Sequence, residues 1–263
     1  MTITAAGGAP ATGGTPFTKG HGTGNDFVIV EGDVELSPER VRELCDRRFG
    51  IGGDGVLRVL RDGDRFFMDY WNSDGSLSEM CGNGVRVFAR YLLATGHVPA
   101  DATEIPIATR AGLRTAYVDG DLIEVDMGHP VFLGASKATV AGTVYDGIGV
   151  SMGNPHLVCP VDDVAPLDLT RSPGFDGDLF PEGVNVEFSQ TLGPDHVRMR
   201  VYERGSGETL SCGTGACAVA VAYLEGRPGR VTVEVPGGTL VVTLDGACRL
   251  AGPAVLVATG TFL

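Results

Sequence analysis

The chain repeats itself. Around Cys81 it reads Met80-Cys81-Gly82-Asn83-Gly84-Val85, and around Cys212 it reads Ser211-Cys212-Gly213-Thr214-Gly215-Ala216. The two cysteines lie 131 residues apart (212 less 81). The offset runs upstream without a gap, pairing Met68 with Met199, Tyr70 with Val201 and Trp71 with Tyr202. A second pair of segments recurs at nearly the same spacing: Gly24-Asn25-Asp26-Phe27-Val28 and Gly153-Asn154-Pro155-His156-Leu157-Val158. Self-similarity on this scale marks a duplicated fold. It predicts two pseudo-symmetric halves, each with a cysteine at the same place, and two thiols facing each other across a cleft. Such a pair suits a reaction that needs an acid and a base on opposite faces of one carbon.

Local patterns give each half its architecture. Apolar and β-branched runs that end in turn residues predict strands at Phe27–Glu31, Val56–Leu60, Phe66–Trp71, Leu113–Val118, Leu122–Met127, Val197–Tyr202, Val231–Val235 and Thr239–Leu244. A first helix is expected over Pro38–Phe49, with Ser37 as N-cap, Pro38 at the first helical position and Gly50 after its end. Two more, Asn83–Thr95 and Thr214–Glu225, carry the repeat and are apolar nearly all round, as buried helices are. The fold class is therefore α+β: in each half a curved, mostly antiparallel sheet wraps round one central helix. The halves are residues 17–127 with 253–263, and 128–252, with Gly128-His129-Pro130 at the boundary and the strand at Ala254–Phe262 returning to the first half. Residues 1–16, rich in Gly, Ala and Thr, are expected to be a disordered tail.

Composition narrows the function. A net charge of −13 disfavours nucleic acid and anionic membranes as partners. No stretch approaches the ~20 apolar residues of a membrane helix. The six cysteines are dispersed, without C-x-x-C, which points to reduced thiols in a cytoplasmic protein and away from a structural zinc site. Cys45, Cys159, Cys217 and Cys248 read as small buried apolar residues. Only two lysines occur. Lys137 is expected in a loop and Lys19 beside the tail, and neither suits the Schiff base that a pyridoxal-dependent racemase requires. Gly50-Ile51-Gly52-Gly53-Asp54-Gly55 fits G-x-G-x-x-G, but it follows a helix and leads into a strand, the reverse of a dinucleotide-binding turn.

The chemistry gathers at the two helix starts. The first turn of a helix offers free N–H groups and a positive dipole end, which bind a carboxylate and favour a thiolate. Polar clusters precede each cysteine: Asn72-Ser73-Asp74-Gly75-Ser76 before Cys81, and Glu203-Arg204-Gly205-Ser206-Gly207-Glu208-Thr209 before Cys212. Arg204 follows a strand and heads a glycine turn, a good position for a bidentate carboxylate contact.

Taken together, His21-Gly22-Thr23-Gly24-Asn25-Asp26-Phe27, Asn72–Ser76, Met80–Gly84, Met152-Gly153-Asn154-Pro155-His156, Val184-Asn185, Tyr202–Gly205 and Cys212–Gly215 resemble the diaminopimelate epimerases over essentially all of the chain after the tail. The resemblance implies cofactor-independent epimerisation of LL-2,6-diaminoheptanedioate to the meso form, for lysine and cell-wall precursor synthesis, by a homodimer without a metal. It makes Cys81 and Cys212 the acid and base, and His156 and Glu203 the groups that tune them. Asn25, Gly82, Asn83, Gly213 and Thr214 would hold the reacting end of the substrate. Asn72, Asn154, Asn185, Glu203 and Arg204 would hold the far end. Where some relatives carry a side-chain ligand such as Gln, this chain has Gly55, so a contact there must come from backbone or water. The alternative is a proline or hydroxyproline racemase of the same fold. The second polar pocket around Arg204 favours the longer, dicarboxylic substrate.

Overall fold

A computed structural model describes residues 3–5 and 14–262. The described chain forms two compact units. One takes the residues up to Val125 and from Pro253 onward, and the other spans Asp126–Gly252.

The first unit contains strands β1 (Ile3–Ala5), β2 (Thr15–Gly22), β3 (Asn25–Glu31), β4 (Gly55–Asp62), β5 (Arg65–Asn72), β6 (Glu104–Thr109) and β7 (Gly112–Asp119). It also contains helices α1 (Pro38–Cys45) and α2 (Gly82–Ala94), and the boundary falls inside β8 (Leu122–Gly128). The second unit contains β9 (Val131–Val140), β10 (Thr143–Ser151), β11 (Pro155–Pro160), β12 (Gly174–Phe175), β13 (Asn185–Gly193), β14 (His196–Glu203) and β15 (Gly207–Thr209). Helix α3 (Gly213–Tyr223), β16 (Gly229–Val235), β17 (Gly238–Leu244) and β18 (Cys248–Pro253) follow, and β19 (Val255–Phe262) returns to the first unit.

The duplication is explicit in the ladders. In the first unit the strands pair in the order β19-β2-β3-β4-β5-β6-β7-β8, with β3–β4 and β5–β6 parallel and the other five pairings antiparallel. In the second the order is β9-β10-β11-β13-β14-β16-β17-β18, with β11–β13 and β14–β16 parallel and the rest antiparallel. Position by position the two sequences of pairing types are the same. Helix α2 packs on β2, β3, β5, β6, β7 and β19, and α3 packs on β10, β11, β13, β14, β16 and β17. A helix that touches strands from across a sheet requires that sheet to curl round it. The α+β expectation therefore holds for each half.

Outer strands alternate in burial, as β8 does with Ile123, Val125 and Met127 inside. Central strands are buried continuously. Phe27 to Val30 are at most 1% exposed because α1 covers the face of β3 and β4 turned away from α2, through Val41, Leu44 and Cys45. In the second unit the segment 161–184 does this job with Val164, Leu167, Leu169 and Phe180, packed on Leu157, Val186 and Phe188. Each such aliphatic or aromatic side chain contributes about 1.5–3 kcal/mol by leaving water.

Three expectations change. The tail falls mostly outside the described residues, but Ile3–Ala5 is a strand antiparallel to Leu60–Asp62, and Thr15 and Pro16 already belong to β2. Helix α1 ends at Cys45 rather than Phe49, because Asp46 leaves helical geometry and its carboxylate accepts from the N–H groups of Arg48 and Phe49. Such a local side-chain turn competes with helix continuation. Lys137 lies in β9, not in a loop, and pairs with Asp146 at 3.1 Å. Lys19, in β2, forms an ion pair with Asp26 at 2.6 Å.

Candidate active site

Each cysteine caps its own helix. Cys81 and Cys212 have extended backbone and receive the N–H of Gly84 and Gly215, both at 3.4 Å. Sulfur thus takes the place that a Ser or Asp oxygen usually fills at an N-cap. Capping with the third N–H leaves the amides of Gly82 and Asn83, or of Gly213 and Thr214, at the positive end of the helix.

In the first unit, Cys81 is half-buried and donates to Asn25 Oδ1 at 3.6 Å. The same oxygen accepts from Asn83 Nδ2 at 3.2 Å, so Asn25 joins the thiol to the start of α2. Leu57, fully buried, lies close under Gly84, and the fully buried Phe27 packs edge-on against Tyr70. Gly55 and Asn72 face each other across the β4–β5 ladder. A Cβ at residue 55 would stand 2.4 Å from Trp71 O and 2.6 Å from Tyr70 Cε2, so packing alone demands glycine there. Asn72 bonds to Ser76 Oγ at 3.0 Å, away from Asn25 and Cys81 in the hydrogen-bond pattern.

The second unit carries a different set at the same places. Cys212 is only 6% exposed and lies 3.5 Å from Thr214 Oγ1. Thr214 Oγ1 accepts from Asn154 Nδ2 at 3.4 Å, which leaves its own hydroxyl proton for the sulfur. Asn154 Oδ1 faces His156 Nε2 at 3.1 Å, and His156 Nδ1 faces Glu187 Oε1 at 2.6 Å. Since an amide oxygen only accepts, Nε2 carries a proton, and Nδ1 and Oε1 share another. His156 and Glu187 are both wholly buried, and Glu187 Oε2 has no hydrogen-bond partner among the described residues. A Cβ on Gly215 would stand 2.6 Å from Glu187 Oε1, which places the carboxyl directly beneath the start of α3.

Burial, opposed by the His156 charge and hydrogen bond, raises the Glu187 carboxyl above its ordinary range. Burial, reinforced by the charges of Glu203 and Glu187, holds the Cys212 thiol well above its usual value. This corrects the expectation that the helix start favours the thiolate at Cys212. The N–H of Gly215 and the hydroxyl of Thr214 act in that direction and are outweighed.

Donor atoms of His156, Glu187 and Cys212 lie within 4.8 Å of one another, a set of a kind that can hold zinc. An ion there would have to break the hydrogen bonds of His156 with Glu187 or Asn154. The set fits a proton-handling cluster better than a metal cradle. The other cysteines are free core residues: burial pushes Cys45 and Cys159 up to about 12, and a hydrogen bond with Cys217 holds the buried Cys248 thiol below its ordinary value.

Of the far-end candidates, Asn185 is fixed by its Nδ2 to Pro155 O at 3.3 Å and by the Arg204 N–H to its Oδ1 at 2.9 Å. Glu203 accepts from Thr209 Oγ1. Arg204 is exposed, with Nη1 donating to Glu182 O at 2.8 Å. Glu187, and Asp54, whose Oδ2 accepts from Asn25 Nδ2 at 2.8 Å, were not among the sequence candidates. The signal for Glu187 was its place in the alternating run Val184-Asn185-Val186-Glu187-Phe188, two residues after the candidate Asn185. Asp54 lies in the glycine-rich segment set aside as a non-nucleotide motif.

The comparisons with known proteins identify the family. Residues 17–133 and 148–261 match the family model described as diaminopimelate epimerase. Proteins named diaminopimelate epimerase from Streptomyces coelicolor and Thermobifida fusca are each 48% identical. The first match covers 94% of either chain, and the second covers 93% of this chain and 96% of the other. The relative from Rhodococcus opacus is 47% identical over the same shares as the second. Among solved structures, a PhzF-family phenazine biosynthesis protein from Bacillus anthracis matches at TM-score 0.73 and 17% identity, over 95% of this chain and 99% of that one. A hydroxyproline epimerase from Agrobacterium vitis matches at TM-score 0.71 and 17% identity, over 96% and 93%. At such identities the structural likeness speaks for the fold alone, whereas the family model and the sequence relatives cover nearly the whole chain at close to half identity. The chain belongs to the diaminopimelate epimerase family of isomerases.

Proposed function

We propose that this protein interconverts LL- and meso-diaminopimelate without a cofactor, with Cys81 and Cys212 exchanging protons with one α-carbon from opposite faces. The observation that carries the reading is the matched pair of capping cysteines, one at the start of each buried helix. An α-proton of an amino acid is a very weak acid, so the carbanionic transition state needs preorganised positive potential. The positive ends of α2 and α3, at Gly82 and at Gly213 and Thr214, supply it to the substrate carboxylate. At the outset one sulfur must be thiolate and the other thiol, and the direction of reaction sets which. The two titrate as a coupled pair.

His156 and Glu187 give Cys212 a way to lose its proton despite burial. As Cys212 becomes thiolate, the proton shared by Nδ1 and Oε1 can settle on Oε1, which leaves both groups neutral and removes the Glu187 charge from beside the sulfur, while Thr214 donates its hydroxyl to the sulfur. Glu203 is a second charge of the Cys212 frame, and the Arg204 guanidinium, exposed on a glycine turn, is the group for the distal carboxylate. Asn72, Asn154 and Asn185 frame that end, and the backbone of Gly55 lies beside Asn72. Both lysines are engaged in ion pairs, so neither is a ready amine for a Schiff base. A homodimer in the cytoplasm belongs to the same proposal. No described helix is long and apolar enough to cross a membrane.

The test is direct. Purified protein, with no cofactor added, should convert LL-diaminopimelate to the meso isomer, as read by chiral chromatography. L-Proline and trans-4-hydroxy-L-proline should be left unchanged. Turnover of the cyclic amino acids, with diaminopimelate untouched, would overturn the assignment.

A further inference from the structure

The segment Gly50–Gly55, set aside above as a nucleotide-binding motif, holds one side chain that reaches the Cys81 frame. Asp54 Oδ2 accepts from Asn25 Nδ2 at 2.8 Å and from the Asp26 N–H at 3.1 Å. The Asp54 N–H in turn donates to Asp26 O at 2.7 Å. Arg47 holds the other carboxylate oxygen, with Nη2 at 2.7 Å from Asp54 Oδ1, and also grips Asp26 Oδ1 at 2.7 Å and Oδ2 at 3.0 Å. Lys19 pairs with Asp26 as well. Burial opposes the charge on Asp26, yet the hydrogen bonds and charges of Arg47 and Lys19 hold its carboxyl well below the usual range. Two cations and two carboxylates thus form a fixed group at one end of Asn25.

We infer that Asp54 is a positioning residue, which locks the Asn25 amide so that its oxygen, not its nitrogen, faces Cys81. The reason is the donor inventory. A carboxylate only accepts, so the amide nitrogen of Asn25 must be the atom turned to Asp54. The hydrogen bond is charge-assisted and stronger than a neutral one, and the flipped amide would set oxygen against oxygen. With nitrogen fixed at one end, oxygen is left for the thiol and for Asn83 Nδ2. An amide oxygen pairs with S–H and repels a thiolate.

The other half supplies the contrast. Asn154 is the repeat partner of Asn25, but its oxygen is taken by His156 Nε2 and its nitrogen is turned to Thr214 at the start of α3. The two equivalent amides therefore present opposite ends to their helices. At residue 184, the counterpart of Asp54 one residue before the matched Gly55 and Asn185, the chain has the buried, apolar Val184.

This inference rests on Cys81 being one of the two reacting thiols. The test reads the thiol itself, whereas chiral conversion by the wild type reads the epimerase assignment, so the two can fail separately. Iodoacetamide alkylation of the substrate-free protein is followed against pH, with peptide mass mapping to separate Cys81 from Cys212. D54N can present either end of its amide, so the Asn25 lock is lost. Cys81 alkylation near neutral pH should then quicken on the order of tenfold, its pH profile moving to lower pH while that of Cys212 stays. N25A should move the Cys81 profile in the same direction. D54N placed in the N25A background should add nothing further, since coupled residues are non-additive. A D54N profile that stays or moves to higher pH would overturn the inference. So would a full additional shift in the double variant, which would mean that Asp54 acts by its charge alone. If D54N does not fold, the N25A profile decides: a move to higher pH means that nitrogen, not oxygen, faced the thiol.

Discussion

Beside Cys212 the chain places His156 and Glu187; at the matching ladder positions of the first half it has Phe27 and Leu57. The strands, pairings and helix caps around these positions are the same in both halves. The duplicated scaffold thus fixes where the sulfurs sit, and the residues beneath them decide how each handles a proton. Cys81 is partly open to solvent and sits over an apolar floor. Cys212 is almost fully buried, with two carboxylates that hold it as a thiol. A thiol so placed can serve as an acid unaided. To serve as a base it needs the shared proton of His156–Glu187 and the hydroxyl of Thr214. On the proposed mechanism each sulfur serves in both roles, and this asymmetry would supply them by different means.

The harshest way to break the comparison is to remove one sulfur. C81S or C212S should each lower kcat by about three orders of magnitude, since a serine hydroxyl is far from ionising near neutral pH. Circular dichroism should show both folded. Substantial turnover by either would show that one thiol suffices.

A subtler break rebuilds one floor as the other. The double variant H156F/E187L copies the Phe27–Leu57 pair into the second unit. Exchange of a buried ionic pair for an apolar one is often neutral or stabilising by about 1–4 kcal/mol, so thermal stability should hold or rise. Turnover should fall about a hundredfold, because Cys212 loses its route to the thiolate. Near-normal turnover would mean that the polar floor serves the fold only.

Arg204 sharpens the comparison at lower cost. Because it is exposed, R204A should reduce kcat/KM for diaminopimelate only about tenfold, in the range of partly solvated charge contacts. The loss should lie in orienting the far carboxylate. Unchanged kinetics would leave Arg204 as a residue of the turn.

The smallest effect concerns charge alone. Glu203 holds the Cys212 thiol up, so E203Q should move the pH profile of Cys212 alkylation, read by peptide mass mapping, to lower pH. The sign follows from removal of a negative charge beside a group that ionises to an anion. A move to higher pH would mean that Glu203 supports the thiolate.

Much of this was legible in the chain. The offset of 131 residues between the cysteines also relates β5 to β14 and the first residue of α2 to that of α3. The gapless match therefore marked real equivalences. It slips by one residue at β4, because the β13–β14 hairpin holds an extra residue at the register shift between Thr191 and Gly193, and it shifts again upstream, where the first half inserts α1 and the second inserts residues 161–184. With the register lost there, Leu57 could not be seen opposite Glu187, nor Asp54 opposite Val184. Glu187 and Asp54 act through side-chain partners far away in sequence, which no local pattern carries. The early end of α1 depended on the Asp46 carboxylate choosing its own turn. The thiolate expectation at Cys212 failed because the helix start is one local term, outweighed by burial and by two carboxylates that come from two other strands, β13 and β14.

The central claim, two sulfurs for one carbon, is tested most directly by single-turnover conversion of LL-diaminopimelate in heavy water. With two thiols, the α-hydrogen leaves to one sulfur and the replacement arrives from the other, already exchanged with solvent. The first meso product formed should carry deuterium at the inverted carbon, while unreacted substrate keeps its protium. Early product that retains the substrate's own hydrogen would mean one group serves both faces, and would contradict the account.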